Sequence, residues 1–155
     1  MKLMMDFISR FDSTFHFDEK FVVEEGNRFF LLNANLKKLA MEGFFYAGTY
    51  LGKVKKDRFF PSFPLLSMMA EGKANKMIVD KKTEWLFICG RDVFKQGITK
   101  VVGSKKKGAY TLIINQHGEC LGFGRITVDL DETKRGVAVR NISDIGDFLR
   151  REKAR

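Results

Sequence analysis

Apolar residues near the start of the chain recur at helical spacing. Leu3, Met4, Phe7, Ile8 and Phe11 share one face and predict an amphipathic helix of about three turns. Two β-type runs follow, 20–23 and 28–32, and the Glu24-Glu25-Gly26-Asn27 segment between them has hairpin chemistry. Asn35 is positioned to cap a short helix with Leu36, Leu39 and Ala40 inward and Gly43 just past its end. Residues 44–51 read as a strand closed by Gly52. Pro61 and Pro64 bracket a turn, and Pro64 suits the first position of a helix over 64–70 that Gly72 ends. The small, polar stretch 71–76 is the expected boundary between an α+β half, 1–75, and a second domain, 76–155.

The second half alternates short strands with glycine corners. A strand over 77–80 leads to Thr83, the expected cap of a helix reaching Cys89, with Trp85, Leu86, Ile88 and Cys89 offering apolar surface and Gly90 ending it. Val93-Phe94 opens a strand expected to reach Gly97-Ile98. An apolar run, 109–114, the turn Asn115-Gln116-His117-Gly118 and a partner run, 119–124, predict a hairpin. Residues 125–130 continue β-like, 131–135 form a charged turn, and 136–140 make a final strand. Ser143 then caps a closing helix from Asp144 to about Arg151, docked through Ile145, Phe148 and Leu149, with Arg150 and Lys153 on its far face. Many short strands and few helices imply an α+β chain whose second half is a small barrel-like sheet.

Charge sharpens this division. The chain carries a formal net charge of +9, but residues 1–80 hold 12 Lys/Arg against 10 Asp/Glu while residues 81–155 hold 16 against 9. A one-sided excess of that size attracts polyanions, nucleic acid foremost, with an acidic protein or an anionic membrane surface as the other candidates. No apolar run is long enough for a membrane span, and the opening Met1–Met5 meets Asp6 too soon for a secretory leader, so an intracellular setting is expected. Cys89 and Cys120 have no metal-type spacing and read as half-buried, reduced thiols.

Candidate chemistry is sparse. His16 lies between Phe15 and Phe17, and His117 sits in a turn, neither with a nucleophile or metal partner in view. Gly103 and Gly108 mimic the glycine spacing of a phosphate-binding loop, yet Ala109-Tyr110 stands where Lys and Ser/Thr are needed; Gly122-x-Gly124 lacks a third glycine. No cofactor, metal or catalytic residue is expected, and the chain reads as a non-enzyme. Most of the 16 phenylalanines read as core. Phe59-Phe60, beside Lys53, Lys55, Lys56 and Arg58, are the exception: either a pair that stacks on the bases of single-stranded nucleic acid or two buried rings anchoring a basic loop.

Several segments of the second half carry a family likeness. The segment from Gly90 through Gly97-Ile98 resembles the opening signature of PUA domains. Gly118-Glu119-Cys120-Leu121-Gly122-Phe123-Gly124 resembles their central hairpin and Gly136-Val137-Ala138-Val139 their closing strand; Ala109 stands where many have an aspartate. With Ala47-Gly48-Thr49-Tyr50-Leu51-Gly52-Lys53 in the first half and the ending 144–152, the whole chain resembles the archaeal type of the ribosome-biogenesis family called Nip-seven.

That resemblance implies a non-catalytic RNA-binding factor in large-subunit ribosomal RNA processing, cytoplasmic in an archaeon and nucleolar in a eukaryote. Its partners would be precursor ribosomal RNA and, through the first half, pre-ribosomal proteins, with no membrane and no small-molecule substrate. RNA contact is implied near the C-terminal end of the PUA half, at Arg150 and Arg151, with Lys153 and Arg155 adding charge and Arg91 and Lys95 extending the surface. Guanidinium groups suit the task because they are permanently charged, forked and able to stack. Lys105-Lys106-Lys107 is a second candidate or a solvated loop. The alternatives are an accessory part of an RNA-modification enzyme and a protein–protein adaptor in a pre-ribosomal complex.

Overall fold

A computed structural model describes residues 1–12, 15–39 and 46–152. It is α+β, as expected, with a curled half-barrel of strands and few helices. Helix α1 (Lys2–Ser9) is about two turns long and buries Met4, Phe7 and Ile8, and Phe11 just beyond it is fully buried. Strands β1 (Val22–Glu25) and β2 (Arg28–Leu31) form the expected hairpin, turned at Gly26. Helix α2 (Ala34–Leu39) starts two residues earlier than anticipated, so Asn33 rather than Asn35 is its cap, its Oδ1 accepting from Leu36 N at 2.8 Å. Leu36 and Leu39 are exposed, contrary to the inward placement expected of them; Ala40 and Gly43 lie outside the described residues.

Gly52 does not close a strand. It lies inside β3 (Thr49–Lys55), which turns through Lys56-Asp57 into β4 (Arg58–Pro61) and completes a four-stranded antiparallel sheet ordered β1-β2-β3-β4. Helix α3 (Phe63–Glu71) begins one residue before Pro64 and is capped by Ser62, whose Oγ accepts from Leu65 N at 3.2 Å.

The second half is a six-stranded sheet ordered β6-β10-β9-β8-β5-β7. Its strands are β5 (Lys76–Val79), β6 (Val93–Phe94), β7 (Ile98–Val102), β8 (Tyr110–Ile114), β9 (Cys120–Ile126) and β10 (Val137–Asp144), with β5 and β8 parallel. Helix α4 (Lys81–Ile88) lies against one end of the sheet. Asp80, not Thr83, is its cap, accepting from Thr83 N at 2.7 Å; the helix starts two residues before Thr83, which leaves that residue in the first turn. Its buried side chains are Thr83 and Phe87, while Trp85 is 67% exposed. Val93-Phe94 does not run on to Ile98, because a 3-10 turn over Lys95–Gly97 separates β6 from β7. β9 ends at Ile126, whereas β10 continues to Asp144. Asp144 therefore caps α5 (Ile145–Glu152), accepting from Asp147 N at 2.9 Å in place of Ser143.

Two apolar clusters hold the molecule. One fills the half-barrel with Met77, Val79, Phe87, Val93, Ile113, Leu121, Ile126 and Val139. The other crosses the junction between the halves, joining α1, α3, Phe29 and Leu51 to Leu112, Ile114, Cys120 and Phe123 of β8 and β9. Phe7 and Phe11 meet Phe123 edge-on, with ring centroids 5.4 and 5.7 Å apart. The polar stretch at 71–76 is itself partly buried. Asn75, 2% exposed, donates to Asp12 Oδ2 and Tyr110 O and accepts from Ser104 N, while its backbone pairs with Phe11 and Leu112. The two thiols differ: Cys89 is exposed, and Cys120 is buried, which pushes its pKa up to about 11. No helix among the described residues is long and apolar enough to cross a membrane.

Candidate nucleic-acid interface

The glycine that ends α4 meets the closing helix. Arg150 does not project from the far face of α5. It turns back, its Nη2 donating to both carboxylate oxygens of Asp144 at 3.0 Å and its Nη1 to Ile88 O, beside Gly90. Asp144 is 4% exposed, so this ion pair neutralises a buried charge. Asn141 extends the lock. Its Nδ2 donates to Phe87 O at 3.0 Å, Arg91 O at 3.3 Å and Asp144 Oδ2 at 3.1 Å, and its N–H donates to Asp92 Oδ1 at 2.9 Å. The network ties the end of α4, the Arg91-Asp92 loop, β10 and α5 into one corner.

Of the other anticipated RNA contacts, Arg91 belongs to that corner, its carbonyl accepting from Asn141. Arg91 is exposed and Lys95 half-buried in the 3-10 turn, neither with an ion-pair partner among the described residues. The backbone of Arg151 lies in α5; Lys153 and Arg155 lie outside the described residues. In the lysine triplet, Lys105 is paired with Asp131 at 2.9 Å and Lys107 N donates to Asp129, which fastens the loop to the 129–131 turn. His16 and His117 are both exposed; His117 N donates to Asn115 Oδ1 within its turn.

The sheet also carries a basic row that sequence reading did not single out. Tyr110, Arg125 and Arg140 are direct register partners across β8, β9 and β10, so their side chains share one face. Both arginines are exposed, and neither forms an ion pair among the described residues; Arg125 Nε donates to Gly108 O at 3.3 Å. Arg10 of the first half stacks over the Tyr110 ring at 5.5 Å. The first half covers the Leu112, Ile114 and Phe123 end of this face and leaves the arginine end open. A cleft of about 610 Å³ runs along the seam, lined among others by Arg10, Tyr110, Ile142 and Ser143. The available signal was an arginine interrupting each of two apolar strands, Gly124-Arg125-Ile126 and Val139-Arg140-Asn141. What strand patterning cannot supply is the register that puts them opposite each other.

Open guanidinium groups beside an aromatic ring can neutralise phosphates and stack on bases. Among the described residues no group of three or more His, Cys, Asp or Glu is placed to hold a metal ion.

The comparisons with known proteins agree with this architecture. A curated relative, the UPF0113 protein of Archaeoglobus fulgidus, is 29% identical over 112 residues, covering 70% of this chain; the matched stretch spans 63% of that relative's length. A conserved PUA domain protein from Thermoplasma acidophilum superposes with a TM-score of 0.62 at 23% identity, over 97% of this chain and 92% of that one. A hypothetical protein from Pyrococcus horikoshii gives 0.56 at 16% identity, over 96% and 93%. At these identities the two structures speak for the fold. The family model described as the UPF0113 PUA domain matches residues 75–153, and PUA domains are RNA-binding modules. With half of its length matched by that model, the chain belongs to the UPF0113 PUA-domain family.

Proposed function

We propose that this protein is a non-catalytic RNA-binding factor in ribosome biogenesis, acting on large-subunit precursor RNA. The observation that carries the RNA-binding part is the open Arg125–Arg140 pair beside Tyr110 on the PUA sheet. The likeness to the Nip-seven pattern supplies the ribosomal setting. In this reading Arg91 and Lys95 extend the surface beside the corner, and Arg151, Lys153 and Arg155 add positive charge in the sequence that follows Arg150. Arg150 chiefly holds that corner in shape, because its guanidinium is already engaged by Asp144 and Ile88.

The test is an anisotropy titration of labelled single-stranded RNA at several salt concentrations. Each phosphate contact on a single strand contributes about 0.7 to the slope of log K against log salt, so Arg125→Gln with Arg140→Gln lowers the slope by about 1.4. Circular dichroism checks that the fold is kept. A double variant that binds with the parent's affinity and slope overturns the reading. Crosslinking in cells tests the ribosomal part: recovery of large-subunit precursor RNA supports it, and recovery of transfer RNA alone favours an accessory role in RNA modification.

A further inference from the structure

Among the described residues, a cluster of open cations outside the PUA sheet stands on the β3–β4 hairpin. Residues 49–61 contain Lys53, Lys55, Lys56 and Arg58 against a single acid, Asp57. All four cations are exposed, and none forms an ion pair with a described residue. The register explains why they gather. Lys55 pairs with Arg58 and Lys53 with Phe60, so both pairs point to one face, while Val54 and Phe59 point to the other. Phe59 is used up in packing, its ring 5.5 Å from Phe7 and 6.0 Å from Phe29. Phe60 is not: it remains 47% exposed at the foot of the cation cluster.

The tip of the hairpin is strained. Lys56 and Asp57 both have positive φ, 50° and 55°, where a two-residue turn would ordinarily carry Asn-Gly. The chain therefore keeps a lysine in a left-handed position that asparagine or glycine would occupy at lower cost.

We propose that this hairpin is a second single-stranded RNA contact, with Lys53, Lys55, Lys56 and Arg58 on successive phosphates and Phe60 as a base-stacking ring. The inference rests on the RNA-binding reading above and extends it to the first half of the chain. Two observations favour RNA over an acidic protein. An exposed aromatic framed by cations is the platform on which single strands stack. The hairpin is also continuous with the PUA face. Lys53, Lys55, Lys56, Arg58 and Phe60 line a cleft of about 530 Å³, and Arg58 and Phe60 also line the seam cleft that reaches Tyr110 and Arg10. One strand can thus pass from the Arg125–Arg140 row, over Tyr110, to Phe60 and the hairpin.

The experiment uses the full chain and a fluorescein-labelled oligouridine of about 16 nucleotides, the upper end of single-strand site sizes. The combined Lys53→Gln, Lys55→Gln and Arg58→Gln variant is expected to lower the salt slope by about 2. Phe60→Leu is expected to weaken binding by about 5- to 100-fold with little change in slope, and Phe60→Tyr to stay near the parent. If the hairpin variants match the parent while the Arg125/Arg140 variant is weakened, the hairpin proposal is overturned and the PUA reading stands. If polyglutamate competes as well as RNA and Phe60→Leu changes nothing, the surface is one for acidic proteins and the proposal again fails. A parent chain that binds no RNA removes both readings together.

Discussion

Asp80 shows how much one side chain decides locally. It is the last residue before α4, and its carboxylate receives the Thr83 N–H at 2.7 Å, satisfying one of the helix's orphan donors. The backbone and then the side-chain hydrogen bond from Thr83 hold its pKa below the ordinary 3.8. A depressed folded pKa means that the unfolded chain binds the proton more tightly. The stabilisation is therefore complete above about 3.8 and is lost as pH falls through the folded value. Asp80→Ala should cost about 1 kcal/mol at neutral pH, read from urea unfolding midpoints. The gap between variant and parent should narrow as the pH is taken below that range. A gap that stays constant into strong acid would show that the carboxylate's charge is not what stabilises the helix.

At the scale of elements, the joint between α4 and α5 bears the most consequence for the candidate interface. Gly146 sits so close to α4 that a Cβ there would lie 2.0 Å from Ile88 O, and Arg150 donates to the same carbonyl. Gly146→Ala must push the helices apart, at an expected cost of about 1–3 kcal/mol for overpacking. Arg150→Ala should cost a similar amount, about 1–3 kcal/mol, by leaving the buried Asp144 carboxylate short of its charged partner. Thermal melts read both, and Arg150→Lys should recover part of the second loss through its retained charge. An Arg150→Ala variant with parental stability would return this residue to the role of a free RNA contact.

The same joint shows what the sequence could disclose. The closing helix and the glycine corners were legible because caps and turns are chemistry of neighbouring residues, although the cap proved to be Asp144 rather than Ser143. The direction of Arg150 was not, since it depends on a carbonyl 62 residues away in the chain. Helix starts slipped by one to three residues where two polar side chains competed for the cap, as Asn33 with Asn35 and Asp80 with Thr83. The β3–β4 hairpin was missed for a sharper reason. Its turn is Lys-Asp rather than Asn-Gly, so the usual hairpin signal was absent and four cations read as a loop.

For the whole molecule, the question is whether the halves divided at 75 and 76 are physically independent. The polar composition of 71–76 suggested a linker, but Asn75 is buried among Asp12, Tyr110 and Ser104, and the second apolar cluster runs straight across the junction. Removing the first half would uncover Leu112, Ile114, Cys120 and Phe123 together, an apolar patch that a small sheet cannot leave in water without penalty. Folding should therefore be one cooperative transition. Cys120 is a built-in reporter, because it belongs to the second half, touches the shared cluster and is buried, whereas Cys89 is open in the native state. Labelling with a thiol reagent along a urea series should show one thiol reacting throughout and the second appearing at the midpoint seen by circular dichroism. Phe11→Ala, in the first half, should cost about 3–5 kcal/mol and move both midpoints together. Two separated transitions, with the Cys120 midpoint left where it was, would mean that the halves fold as independent domains. The RNA track drawn across their seam would then lack a rigid frame.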